Sequence, residues 1–169
     1  TWSVETSHGY DKEVYNLYVE YCKYKKFTDV ATYDEIDTIF NYPVDQCFIK
    51  FYYKSKLIAI TKMSTWGNSV YSEFFWWNYY KPELSVGKLS GAIEIDLAKA
   101  SGNRYLYTGL GYHHHGIYKS LKKGFEWWTG REWSKDLDLY RYLCYKDDEI
   151  KTIDELYDHQ INYFERVDE

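Results

Sequence analysis

The sequence predicts an α/β (α+β) fold, a central mixed and mostly antiparallel sheet flanked by helices, formed by residues 1–169 as a single domain. Three observations carry this reading. Two amphipathic helical segments come first, a block of three strands joined by short turns follows, and one long helix then leads into a further strand.

From Asp11 to Lys25 the positions Val14, Tyr15, Tyr18, Val19, Tyr21 and Cys22 recur at helical spacing, and Asp11 is placed to cap the helix. Thr32-Tyr-Asp-Glu35 has the form of a capping box and opens a shorter helix through Ile36, Ile39 and Phe40, which stops at Asn41-Tyr-Pro43. Strands are expected over 46–53, 57–64 and 69–80, with turns at Lys54-Ser-Lys56 and Gly67-Asn68. Residues 85–100 read as a helix with Ile93, Leu97 and Ala98 on its buried side and Ser101-Gly102 at its end. Beyond it, 104–112 has strand character and 117–123 reads as a short helix. A hairpin over 125–134 turning at Thr129-Gly130 and a helical tail over 152–164 complete the order.

Composition narrows the class. Apolar residues make up 45% of the chain and aromatic residues 21%, so the chain has the material for a core and is unlike a disordered segment. Many of the aromatics are the 21 tyrosines and 7 tryptophans, which serve either as pocket and interface residues or as core filler. A net charge of -5 has the wrong sign for a dedicated non-specific nucleic-acid binder. The densest basic stretch, Lys119, Lys122 and Lys123 with Arg131 and Lys135, reads first as a solvated face and second as a local patch. Cys22, Cys47 and Cys144 lie far apart without metal-ligand spacing, so a reduced, cytoplasmic protein without a bound metal is expected. No run approaches the ~18 apolar residues of a membrane span, and the N-terminus lacks the pattern of an export signal.

The segment Lys81-Pro-Glu-Leu-Ser-Val-Gly-Lys88 joins an aromatic strand to the long helix. Such an entry presents backbone N–H groups and the positive end of the helix dipole to an anion; a tight connection with a glycine for close packing is the alternative. Glu73, within the same strand, is the carboxylate placed nearest as a base, or else a solvent-facing residue. His113-His-His115 follows the fifth strand, where loops reach the ligand crevice of an open sheet, and His113 is the candidate base among them. Trp76-Trp77 and Trp127-Trp128 are expected on neighbouring strands, one tryptophan of each pair in the core and the other lining a cleft.

This element order is similar to that of the GNAT acyltransferases. Ile117-Tyr-Lys-Ser-Leu-Lys-Lys-Gly-Phe125 resembles the GNAT element whose tyrosine protonates the departing thiolate, with Tyr118 in the matching place and one extra residue before Gly124-Phe125. Residues 74–125, with Trp77-Asn-Tyr-Tyr-Lys-Pro-Glu-Leu-Ser-Val-Gly, Ile93-Glu-Ile-Asp-Leu-Ala-Lys99 and Arg104-Tyr-Leu-Tyr-Thr-Gly-Leu-Gly-Tyr112, look like the C-terminal half of arginyl-tRNA:protein transferases. The resemblance implies transfer of an activated acyl or aminoacyl group onto an amine: a protein N-terminus, a small molecule or a modified base. It implies no tightly bound cofactor, with aminoacyl-tRNA or acyl-CoA as donor substrate, and tRNA or another nucleic acid as a possible partner. Catalysis falls to Tyr118, Glu73 and His113, and donor binding to Trp77, Asn78, Tyr79, Ser85, Val86, Gly87, Lys88 and Lys119. Leu84 and Leu89 depart from the turn that holds the pyrophosphate of acetyl-CoA, which points to another donor. Two other readings stay open: a transferase of phage-type DNA-base hypermodification, and an inactive GNAT-like binding module.

Overall fold

The computed structural model describes residues 2–7, 10–41, 45–109 and 111–167. The helix stop expected at Tyr42-Pro43 and Leu110 of the expected fifth strand lie outside them. The chain divides into two compact units, Thr1–Gly109 and Leu110–Glu169.

In the first unit, α1 (Lys12–Lys25) starts where the Asp11 carboxylate accepts the Val14 N–H at 2.9 Å, and it ends at Lys26 in a left-handed conformation. The capping box of α2 (Tyr33–Phe40) is complete, with the Glu35 N–H on the Thr32 hydroxyl and the Thr32 N–H on the Glu35 carboxylate at 2.7 Å. Five strands, β1 (Trp2–Ser7), β2 (Gln46–Tyr53), β3 (Lys56–Trp66), β4 (Ser69–Trp77) and β5 (Tyr105–Tyr107), lie side by side in that order. The first four are antiparallel and β5 runs parallel to β4. The fold class is the expected one.

Lys54 and Ser55 both have positive φ, 50° and 61°, the geometry that reverses a chain between twisted strands in two residues. α3 (Val86–Ala100) follows a 3-10 turn over Pro82–Leu84. The sheet's two faces bury separate clusters. Val14, Tyr18, Phe40, Phe48, Ile60 and Trp76 pack on the α1 side. Ile49, Phe51, Ala59, Met63, Val86 and Ala98 pack on the α3 side, with Ile93 and Leu97 against them.

The strands differ from the expectation in several places, β3 among them, which spans Lys56–Trp66 rather than 57–64. Strand β1 was not foreseen; all its residues but Ser7 are exposed, so it carries no alternation of burial. β4 ends at Trp77 rather than Tyr80, because the Asn78 side chain accepts the Tyr80 N–H at 2.9 Å and turns the chain. β5 is three residues rather than nine, and Gly109, at φ 80°, leads out of it.

The second unit holds a 3-10 helix over His114–Leu121, the hairpin β6 (Trp127–Trp128) and β7 (Trp133–Ser134), α4 (Leu137–Tyr145) and α5 (Ile153–Val167). Gly130 at φ 98° forms the hairpin's turn. α4 was missed, although Asp136 caps it by accepting the N–H groups of Asp138 and Leu139. The tryptophan pairs are not on neighbouring strands: β6 pairs with β7 in a two-stranded sheet of its own. Alternation still sorts each pair, with Trp76 and Trp127 buried, Trp77 half-buried and Trp128 exposed. The basic stretch is not one solvated face. Lys119 is buried, Arg131 sits over the Tyr157 ring at 4.0 Å, and Lys135 pairs with Glu126 at 3.3 Å.

Candidate functional site

Strand β4 organises the candidate site. Only Ser69, Val70 and Tyr71 pair with β5, opposite Tyr105, Leu106 and Tyr107. From Ser72 to Trp77 the side of β4 away from β3 has no strand partner among the described residues, so β4 runs on past its parallel neighbour with an open edge, and the fork is this end of pairing. The Asn78 N–H donates to the Ile58 carbonyl at 2.8 Å, and strand alternation then turns the Trp77 peptide groups toward the open side.

Glu73 stands at the start of this fork. Opposite β3, Ser72 pairs with Met63 and Phe74 with Lys62, so Glu73 is the extra residue of a β-bulge. The bulge gives β4 two consecutive residues on the α1 face. Phe74 packs into the α1-side core, while the Glu73 carboxylate takes Lys62 Nζ at 2.8 Å on Oε2 and the Ser64 hydroxyl on Oε1. The Lys62 side chain is 5% exposed and that of Glu73 35%, so the ammonium is enclosed and the carboxylate faces outward. Trp66, Tyr71 and Glu73 line a cavity of about 370 Å³. Lys62, Ser64, Trp66 and Tyr71 were not among the expected site residues, although a lysine in the middle of a strand that opens Leu57-Ile-Ala-Ile60 was a visible signal.

At the other end of the fork, Ser85 is left-handed, with φ 49° and ψ 38°, and its side chain makes no capping bond to α3. Gly87 is exposed at the helix entry. A Cβ there would meet only Phe75 Cε1 at 3.7 Å, an ordinary contact, so packing does not demand glycine. Of the expected donor set, the Val86 side chain belongs to the core, while Ser85 and Lys88 are exposed. Tyr79 lies between rings, stacked on Tyr24 at 3.5 Å and tilted against Trp77 at 4.0 Å, with Lys25 Nζ 5.4 Å from its centre. Burial, with the neighbouring Tyr79, pushes the Tyr21 hydroxyl up to about 12.

The remaining expected residues belong to the second unit. Tyr118 is 54% exposed on the 3-10 helix. His113 precedes that helix in extended conformation; burial and then the Lys119 charge hold its imidazole below the ordinary range, which favours the neutral form. Burial likewise lowers Lys119. Among the described residues no group of three or more His, Cys, Asp and Glu side chains is arranged to hold a metal ion, and no helix is long and apolar enough to cross a membrane.

The family described as arginine-tRNA-protein transferase, C terminus, matches residues 13–123, from α1 through the 3-10 helix that bears Tyr118. No curated protein sequence matches the chain. A possible acetyltransferase from Clostridium difficile 630 is similar in structure, with a TM-score of 0.54 and 9% identity over 75% of this chain and 95% of that one. An aminoglycoside acetyltransferase from an uncultured soil metagenomic sample, solved in complex with sisomicin, gives a TM-score of 0.52 and 7% identity over 64% of this chain and 77% of that one. At such identities the likeness is one of fold.

Proposed function

This chain belongs to the arginine-tRNA-protein transferase C-terminal family, and on that premise we propose that it moves an aminoacyl or related acyl group from a nucleotide-containing carrier onto an amine. Transfer of the acyl class follows from family and fold. The finer reading rests on one observation above all: the fork in β4 has an exposed glycine at the helix entry and an anchored carboxylate at its base.

Gly87 supports the donor end. Within a helix a glycine costs about 0.5–1 kcal/mol relative to alanine, and no packing contact here requires it. Its use is then close approach of an anionic carrier to the uncapped N–H groups and the positive dipole end of α3. The open side of β4 supplies backbone donors at Trp77 for the tetrahedral oxyanion, an interaction worth roughly 3–4 kcal/mol when pre-positioned. Glu73 takes the proton of the attacking amine. The amine nitrogen bonds to the acyl carbon, the bond from that carbon to the carrier breaks with its electron pair, and the departing carrier atom takes up a proton, the part that the family resemblance gives to Tyr118. The departures at Leu84 and Leu89 favour a carrier other than coenzyme A.

Filter binding with charged and uncharged tRNA, beside isothermal titration with acetyl-CoA, tests the donor. Binding of charged tRNA is expected. Micromolar acetyl-CoA binding without tRNA binding overturns the aminoacyl reading, and binding of neither leaves an inactive binding module. For the proton donor, Tyr118→Phe is expected to lower kcat ~10²-fold with KM little changed, because general-acid help is felt mainly in the transition state. A loss of melting temperature with kcat intact would remove Tyr118 from the chemistry.

A further inference from the structure

We propose that the cavity formed by Trp66, Tyr71 and Glu73 is the acceptor site and that it takes a primary alkylammonium group, rejecting acidic acceptors. Its role as acceptor site rests on the transferase reading above; its ligand chemistry rests on the cavity itself.

The three side chains reach one face by three routes. Trp66 follows Lys62 and Ser64 at strand spacing, Tyr71 lies directly opposite Ser64, and the bulge turns Glu73 to the same side. Trp66 and Tyr71 are 57% and 39% exposed, so both large rings keep a substantial part of their surface open to solvent. Tyr71 is nevertheless held, its ring stacked on Tyr107 at 4.6 Å with 10° between planes. Lys62 and Ser64 likewise hold the carboxylate, one on each oxygen. A carboxylate accepts about four hydrogen bonds, so it retains capacity for a further donor.

Charge and shape select among ligands. The hollow, about 370 Å³, lies open to solvent, so it has room for the end group of a ligand and the chain that carries it. An anion meets Glu73 and the electron-rich ring faces, and is repelled by both. A neutral apolar ligand leaves the carboxylate unused. An ammonium on a methylene chain gains from the carboxylate by charge and from the rings by cation–π attraction. Lys62 does not cancel this at contact range, because its side chain is 5% exposed against 35% for Glu73. From a distance the pair is close to neutral, so binding is short-ranged and only weakly dependent on salt. In the reaction the bound ammonium gives one proton to Glu73. The freed lone pair attacks the acyl carbon, the carrier atom leaves with the bonding electrons and takes the second proton that the nitrogen loses as the amide forms, and Glu73 returns the first to solvent.

The test is isothermal titration of the full chain, without donor, against 1,4-diaminobutane, Nα-acetyl-lysine amide and glutarate. Millimolar binding of at least one amine is expected, and of glutarate none. The diamine alone indicates a free polyamine as acceptor, and the lysine amide a peptide side chain. Trp66→Ala, a surface change that leaves the core intact, and Glu73→Gln, which keeps an oxygen toward Lys62, should each weaken amine binding by roughly tenfold. No binding by either amine, glutarate binding as tightly, or amine binding equal in wild type and both variants overturns the proposal. The donor assays answer separately: amine binding without tRNA or acetyl-CoA binding fails the transferase reading alone, and transfer unaffected by Trp66→Ala fails this inference alone.

Discussion

The two faces of the five-stranded sheet bury polar groups in different ways. On the α1 side, two nearly enclosed lysines are tied across elements: Lys50 reaches the N-cap residue of α1 at 3.0 Å, and Lys62 reaches the bulge of β4 at 2.8 Å. On the α3 side, the buried pair Ser90–Glu94, bonded at 2.6 Å, lies within a single helix, and the packing around it is largely aliphatic. A face tied between elements fixes register, because a slip of one residue separates charge from partner. On the other face the Ser90–Glu94 pair travels with its own helix, and the buried tie between strands is a neutral one, the Thr61 hydroxyl on the Phe74 carbonyl at 3.0 Å. The candidate acceptor cavity lies on the tied face and the uncapped helix entry on the other.

The largest expected difference is in the cores. Phe48→Ala and Phe51→Ala, both at fully buried positions, should each cost ~3–5 kcal/mol in urea denaturation. Phe48 should cost more by ~0.5–1.5 kcal/mol, because it stacks on Phe40 at 4.2 Å with 8° between planes, whereas Phe51 meets Phe75 edge-on at 6.4 Å. Equal losses would mean that the aromatic stacking on the α1 side adds nothing beyond area.

The next comparison is within the tied face. Glu73→Ala leaves the Lys62 ammonium enclosed without its carboxylate and should cost ~2–4 kcal/mol, below the full buried-pair range because Glu73 is partly solvated. Lys62→Met leaves a carboxylate that water can still reach and should stay within ~1 kcal/mol of wild type. The double variant should recover much of what Glu73→Ala loses, and a strictly additive cycle would break the argument.

The smallest effect is at Asp11. Partial burial raises its carboxyl, but the Val14 N–H and the Lys50 ammonium outweigh this and hold it below the ordinary range. A folded-state value below the unfolded one gives stability that is complete above about pH 4 and is lost as pH falls through the folded value. Asp11→Asn keeps a capping oxygen and loses the charge. It should cost ~0.5–1 kcal/mol at pH 7, modest because about half of the carboxylate is exposed and screened, and almost nothing near pH 2. A pH-independent cost would assign the effect to capping alone.

Much of this fold was legible because its signals are local. The caps at Asp11 and Thr32-Glu35, the turns at Lys54-Ser55 and Gly67, and the entry into α3 each declare themselves within about four residues. α4 carries a signal of the same kind, Asp136 and the buried Leu139, Tyr140, Leu143 and Cys144, within a run rich in tyrosine. What the sequence does not carry locally is pairing. Strand β1 has five exposed residues of six and owes its existence to β2. The short reach of β5, and so the fork, depends on where the chain leaves β4 after Tyr71. Glu73 was visible as a carboxylate in a strand, but its face depends on register against β3, and its partners Lys62 and Ser64 lie on that other strand.

The bulge also has a combinatorial meaning. Remove Glu73 from the string Tyr71-Ser72-Glu73-Phe74-Phe75-Trp76 and what is left alternates without a break: Tyr71, Phe74 and Trp76 on one face, Ser72 and Phe75 on the other. The rest of the strand reads as if the carboxylate had been inserted into a ladder that was already whole. One added residue therefore separates a strand that only packs from a strand that also presents an acid at the mouth of a fork. Within this fold, gaining or losing that acid is a step of a single codon that leaves the facing of every other residue in the strand unchanged.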